Sequence, residues 1–265
     1  PMCDNAQPVC HRLVTQVYKP PSNYTDTSVY FSMTTQSHQT EAPRSAAFFR
    51  LEGTLVTRPT LAAAAWLAGN AQGLGERLAR LGNVALAAPM ALSGELSTGV
   101  TSSRLTWMGL RGMSEDRITV LAAEYVEEFL AGELLEVGMR LVDEARRQGR
   151  RIVLISDNID LVAGPLADRV EADDVICNRL EFRKGKATGR LEDPVIGGNV
   201  AGQWARDFAK EHGLDLDHSY AYGASAADSL LLSAIGRPCA VNPDRQLRRI
   251  ARDHAWPVVE GKDRS

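Results

Sequence analysis

A chain of 265 residues, 44% hydrophobic and 24% charged, can bury a substantial core in one large domain or in a domain with an appended subdomain. Its net charge of −3 and pI near 6.0, with Lys and Arg interspersed among acids, leave no basic footprint for nucleic acid. No stretch reaches the roughly 18 apolar residues that a spanning helix requires, the amino end has no apolar signal core, and Cys3, Cys10, Cys177 and Cys239 form no CxxC pair and have no histidine at metal-ligand spacing. Cys177 and Cys239 fall in apolar, strand-like surroundings and read as reduced core residues, which points to the cytoplasm.

Residues 1 to 44 are rich in Ser, Thr, Gln, Asn and Pro, with no helical or strand period, and are expected to form a disordered arm or a non-native leader. Met33 would open a conventional short leader, MTTQSHQTEAPRS. An interaction tail carrying Tyr18, Tyr24 and Tyr30 is the alternative.

From Ala46 onward strands and helices alternate. Strands are expected at Ala46–Phe49, Ile152–Ile155, Asp174–Ile176, Tyr220–Tyr222, Cys239–Val241 and Pro257–Val259, and a hairpin at Asn178–Leu191 carries Lys184 and Lys186 at its turn. Such alternation predicts an α/β fold, a doubly wound parallel sheet whose ligand site lies at the carboxyl ends of the strands. Residues 45–59 and 149–265 would form this core.

Between residues 60 and 148 the strand signal vanishes and a helical insertion is expected. Ser114 is a suitable N-cap, Glu115 and Asp116 suit a first turn, and Ile118, Leu121, Ala122, Tyr125, Val126, Phe129 and Leu130 form one apolar stripe. The runs LAAAAWLAG and NVALAAPMALSG are apolar and rich in small residues. They read as packing within the helical bundle, or as contact with a lipid-like ligand, a membrane surface or a partner helix, with Trp66, Trp107 and Met108 as the residues whose exposure decides.

Chemistry concentrates in four short motifs. The run AAFFRLEGTLV is an apolar strand entering a Gly-Thr turn, with Arg50 and Glu52 as its charged positions. RIVLIS ends a second apolar strand at Ser156. IGGNVAG places Asn199 before a helix, and AYGASAADSLLL places Ala224, Ser225 and Asp228 after a strand. Five histidines occur, none at a nucleophile elbow, and GGNVAG is better read as a turn and helix start than as a dinucleotide loop.

Over roughly residues 45 to 260 this pattern resembles the haloacid dehalogenase superfamily, in its phosphoserine-phosphatase-like subgroup with an inserted helical cap. The family's opening DxDGT, whose first Asp is the nucleophile and second the acid and base, corresponds to Arg50 and Glu52. Its phosphate-binding Ser corresponds to Ser156, its Lys to Asn199, and the first Asp of its GDxxxD to Ala224, leaving Asp228. An arginine has no lone pair with which to attack phosphorus, and a magnesium site with a guanidinium at 50 and a methyl at 224 lacks two oxygen ligands. The resemblance therefore implies a degenerate phosphatase with its magnesium site lost and no other cofactor.

Two roles for the remaining groups stay open. Arg50 can pair with Glu52 or Asp228 as an internal salt bridge, or Arg50, Glu52, Gly53, Thr54, Ser156, Asn199, Ser225 and Asp228 can hold a phosphorylated or lipid-like ligand without cleaving it. The expected function is a ligand-binding or regulatory module acting on a small molecule, a protein partner or an active homologue. The alternatives are an enzyme of altered, metal-independent chemistry with Glu52 as base and Arg50 as anion clamp, and an adaptor that contacts a membrane through its cap.

Overall fold

A computed structural model describes residues 16–17, 44–70 and 99–261. Seven strands, β1 (Gln16–Val17), β2 (Ala46–Arg50), β3 (Arg151–Ile159), β4 (Asp174–Asn178), β7 (Tyr220–Gly223), β8 (Arg237–Val241) and β9 (Val258–Val259), form one sheet in the order β1-β4-β3-β2-β7-β8-β9. Every pairing in it is parallel. The short strands β5 (Leu180–Arg183) and β6 (Lys186–Leu191) form the separate antiparallel hairpin.

Both faces of this sheet are covered, as an all-parallel sheet requires. Along β2 the side chains alternate between two apolar clusters, Ala47 and Phe49 in one, Ala46 and Phe48 in the other. The second cluster receives the helices Ala201–His212, Ser229–Ala234 and Arg245–Asp253. Phe48 meets Phe208 edge-on there, with ring centroids 6.2 Å apart. The first receives Thr60–Gly69, Glu115–Tyr125, Glu136–Arg147 and Asp160–Arg169.

All described elements between residues 60 and 147 are helical, including a short 3-10 turn at Trp107–Leu110 and a π-turn at Val126–Leu130 that extends the Glu115–Tyr125 helix. Ile118, Leu121, Ala122, Tyr125, Val126 and Leu130 are buried along the expected stripe. Ser114 is the N-cap residue, although its side chain makes no capping hydrogen bond. The Glu136–Arg147 helix packs directly on the sheet beside β3. Gly138 permits this, because a Cβ there would stand 2.1 Å from the Thr54 carbonyl oxygen.

The arm needs one correction. Gln16 and Val17 add an edge strand in parallel to β4, opposite Asp174 and Val175, within a segment expected to lack structure. Two residues carry no readable period, and the pairing is provided by the exposed edge of β4 rather than by local propensity. The rest of the arm, including Met33, Cys3, Cys10 and the three tyrosines, lies outside the described residues, as does NVALAAPMALSG.

Trp107 is fully buried, and Trp66 packs among Tyr125 and Phe129 at centroid distances of 5.5 and 5.8 Å, which is the bundle-packing reading of these aromatics. Met108 is exposed. Among the described residues, the other exposed large apolar side chains, Val120, Leu230 and Val258, sit on separate elements. No described helix is long and apolar enough to cross a membrane. Cys177 and Cys239 are buried free thiols, as expected.

Candidate functional site

Strand register brings the motifs together. In the central strand β2, Arg50 lies opposite Ile155 of β3, one residue before Ser156, and Phe49 lies opposite Tyr222 of β7, one residue before Gly223. The ends of three neighbouring strands therefore deliver positions 50, 156 and 224 to one place, at the carboxyl edge where parallel sheets build sites. Arg50 is the last residue of β2 and is buried, with a side chain 4% exposed.

The guanidinium is enclosed by three carboxylates. Its Nη1 donates to Asp157 Oδ1 at 3.2 Å, and its Nη2 lies 3.1 Å from Asp157 Oδ2 and 3.4 Å from Glu52 Oε2. On the remaining side Nε lies 2.9 Å from Asp228 Oδ1, too far off the N–H axis for a hydrogen bond, so this contact is an ion pair alone. Burial by itself would lower the Arg50 pKa, and the charges of Asp157, Asp228 and Glu52 outweigh it and push it well above the ordinary arginine value. The cation is permanent. For Asp157, desolvation and the nearby Glu52 and Asp228 charges raise the carboxyl pKa against the pull of Arg50.

Two of the carboxylates, Asp228 and Glu52, are also held from behind. Asp228 Oδ2 accepts from the Ala224 and Ser225 backbone amides at 2.9 Å each and from Ser225 Oγ at 3.0 Å. Glu52 Oε1 accepts from Ser156 Oγ at 2.5 Å, Asn158 Nδ2 at 2.8 Å and Thr60 Oγ1 at 3.2 Å. Thr54 Oγ1 turns back to donate to the Arg50 carbonyl oxygen. Gly53 has a φ of +84°, and a Cβ on it would stand 2.6 Å from the Ala224 Cβ, so the turn that follows β2 requires glycine on both counts.

Of the residues expected at the site, Arg50, Glu52, Ser156 and Asp228 form one connected network, with Gly53, Thr54, Ala224 and Ser225 supporting it. Position 199 lies on a 3-10 turn at Gly198–Val200, where Gly198 approaches Ala227 so closely that a Cβ would stand 2.8 Å from the Ala227 Cβ. Asp157, Asn158 and Thr60 are additions that sequence reasoning missed. Arg50 pairs with both Glu52 and Asp228 as expected, but its fork is turned to Asp157. Lys184 and Lys186 are exposed at the hairpin turn, where Lys186 bridges to Ser114. His212 stacks on Phe208, and His254 on Trp256.

A divalent ion does not fit this arrangement, because the volume between the carboxylates holds the guanidinium. Among the described residues no three His, Cys, Asp or Glu side chains are placed to share one ion. An open groove of about 840 Å³, lined by Arg104, Met108, Arg111, Glu181, Arg190 and Glu192 among others, is separate and contains none of these site residues.

The family model for haloacid dehalogenase-like hydrolases matches residues 47–233, which spans β2, the helical insertion and β7. The chain belongs to the haloacid dehalogenase-like hydrolases. The "Inhibition of morphological differentiation protein" of Streptomyces azureus is 32% identical over 151 residues, covering 57% of this chain and about half (54%) of that relative. A protein of Mycobacterium tuberculosis named "Probable phosphatase" is 29% identical over 217 residues, covering 82% of this chain and 75% of that one. A solved Bordetella pertussis protein of unknown function superposes with a TM-score of 0.69 at 26% identity, over 82% of this chain and 99% of that one. A phosphoserine phosphatase in its apo form superposes with a TM-score of 0.61 at 19% identity, over 83% and 94%, a likeness of fold.

Proposed function

We propose that this haloacid dehalogenase-like protein no longer transfers phosphoryl groups and acts as a binding or regulatory module. One observation carries the reading: the position of the attacking carboxylate holds Arg50, and three carboxylates enclose it. Phosphoryl transfer through an aspartyl intermediate needs an anionic oxygen in line and cations around the moving group. Here the attacking oxygen of that position is replaced by a cation already paired with three carboxylates. The helical insertion that precedes the sheet-packed Glu136–Arg147 helix would serve as the cap over this end of the sheet.

The name of the Streptomyces relative refers to inhibition of differentiation and not to a reaction, which favours regulation. The mycobacterial relative is named as a phosphatase, so the test is enzymatic. Purified chain is assayed for phosphate release from a panel of phosphomonoesters with magnesium, beside an Arg50→Ala/Asp228→Ala variant. Equal background rates are expected. Turnover by the wild type alone overturns the reading. In the alternative with Glu52 as a base the proton would go to Oε2, since Oε1 already accepts from three donors and Oε2 has only the 3.4 Å contact with Arg50.

A further inference from the structure

The site is layered by charge. Its outermost charged groups are carboxylates: the Asp157 side chain is 26% exposed and Glu52 14%, whereas Arg50 at 4% and Asp228 at 2% lie beneath them. Three carboxylates face one guanidinium, which leaves two negative charges without a partner in the network. A phosphomonoester entering this mouth meets two carboxylates before it meets Arg50, whose Nη1 and Nη2 already face Asp157 and Glu52. The inherited anion site thus presents the opposite sign.

A second observation is independent of that charge count. Asn158 is 3% exposed and spends its Nδ2 on Glu52, while its Oδ1 is buried with no donor. Glu52 Oε2 has only the long 3.4 Å contact with Arg50. Buried acceptors without donors are costly and are normally met by water or a ligand. We propose that this mouth binds a small organic cation through a primary ammonium group, at the Asp157 and Glu52 carboxylates and the Asn158 carboxamide oxygen. An ammonium brings three N–H donors and one positive charge with no demand for octahedral oxygen geometry. The inference rests on the non-catalytic reading of the same site.

The test is thermal unfolding of the full chain with ethylamine hydrochloride or 1,4-diaminobutane, against sodium chloride, magnesium chloride, sodium phosphate and neutral N-ethylacetamide at matched ionic strength. The amines are expected to raise the Tm by about 5 °C or more at saturation, the scale of one ligand well above its Kd. N-ethylacetamide is expected to do nothing. Asp157→Asn and Glu52→Gln should each abolish the shift, while Glu211→Gln, which removes an exposed carboxylate elsewhere, should keep it. A shift matched by sodium chloride, a larger one with magnesium or phosphate, no shift at all, or one that survives both site variants overturns the proposal. Phosphate release by the wild type would instead overturn the non-catalytic reading, whereas silence toward amines without turnover removes this inference alone.

Discussion

Replacing Arg50 by alanine removes the only cation among three carboxylates, and the cost can be sized from their burial. Asp157 and Glu52 keep some access to water and can be rehydrated. Asp228, with a side chain 2% exposed, cannot. Its Oδ2 keeps three donors, but its Oδ1 loses the one charge that faced it. Leaving one member of a buried ion pair without its partner costs about 3–5 kcal/mol, which in a chain of this size lowers the Tm by about 6–20 °C. Arg50→Met, which keeps most of the volume, should lose nearly as much, since the loss is of charge. Adding Asp228→Asn to Arg50→Ala should recover about 1.5 kcal/mol or more relative to additivity, because the second change removes the stranded charge. Thermal and urea unfolding at neutral pH are read on the wild type, these three variants and the Asp228→Asn single variant that closes the cycle. An Arg50→Ala variant within about 1 kcal/mol of the wild type would refute the argument that Arg50 is the structural counter-charge of the site.

The raised Asp157 pKa predicts a pH dependence of stability. Between its ordinary value of 3.8 and its raised value the folded chain holds a proton that the unfolded chain has lost, so stability falls as pH rises through that window. Asp157→Asn, which mimics the neutral form, should flatten this limb and be the more stable protein above it, as read from urea midpoints across pH. Gly138→Ala places a methyl 2.1 Å from the Thr54 carbonyl oxygen and 2.8 Å from Leu55 Cδ2, and should lose about 1–3 kcal/mol or more by overpacking in urea unfolding. Burial pushes the Cys177 thiol far up and Cys239 to about 11, so mass spectrometry after native thiol labelling should find both unmodified and label them only after denaturation.

The convergence of positions 50, 156 and 224 was legible because each lies at the end of an apolar strand run, and parallel strands in register deliver their ends to one edge. Asp157 and Asn158 were not, although they follow Ser156 directly. RIVLIS looks like a complete strand, yet β3 continues to Ile159 with an irregular register against β4 between Ile155 and Ile159, so two polar residues that read as loop are built into the site. Thr60 reads as the start of a helix, and its bond to Glu52 depends on where the preceding turn points the chain. The edge strand at Gln16–Val17 was illegible for a simpler reason: its partner is 158 residues away at Asp174, and two residues cannot display a period.

The cation at the centre of this site is part of the polypeptide. It is present in one copy per molecule from the moment of synthesis and cannot be chelated, diluted or exchanged for a competing ion. In a site organised by a dissociable metal, the arrangement of the carboxylates follows the local supply of that metal. Because Arg50 ends the central strand, this counter-charge is inherited with the fold itself.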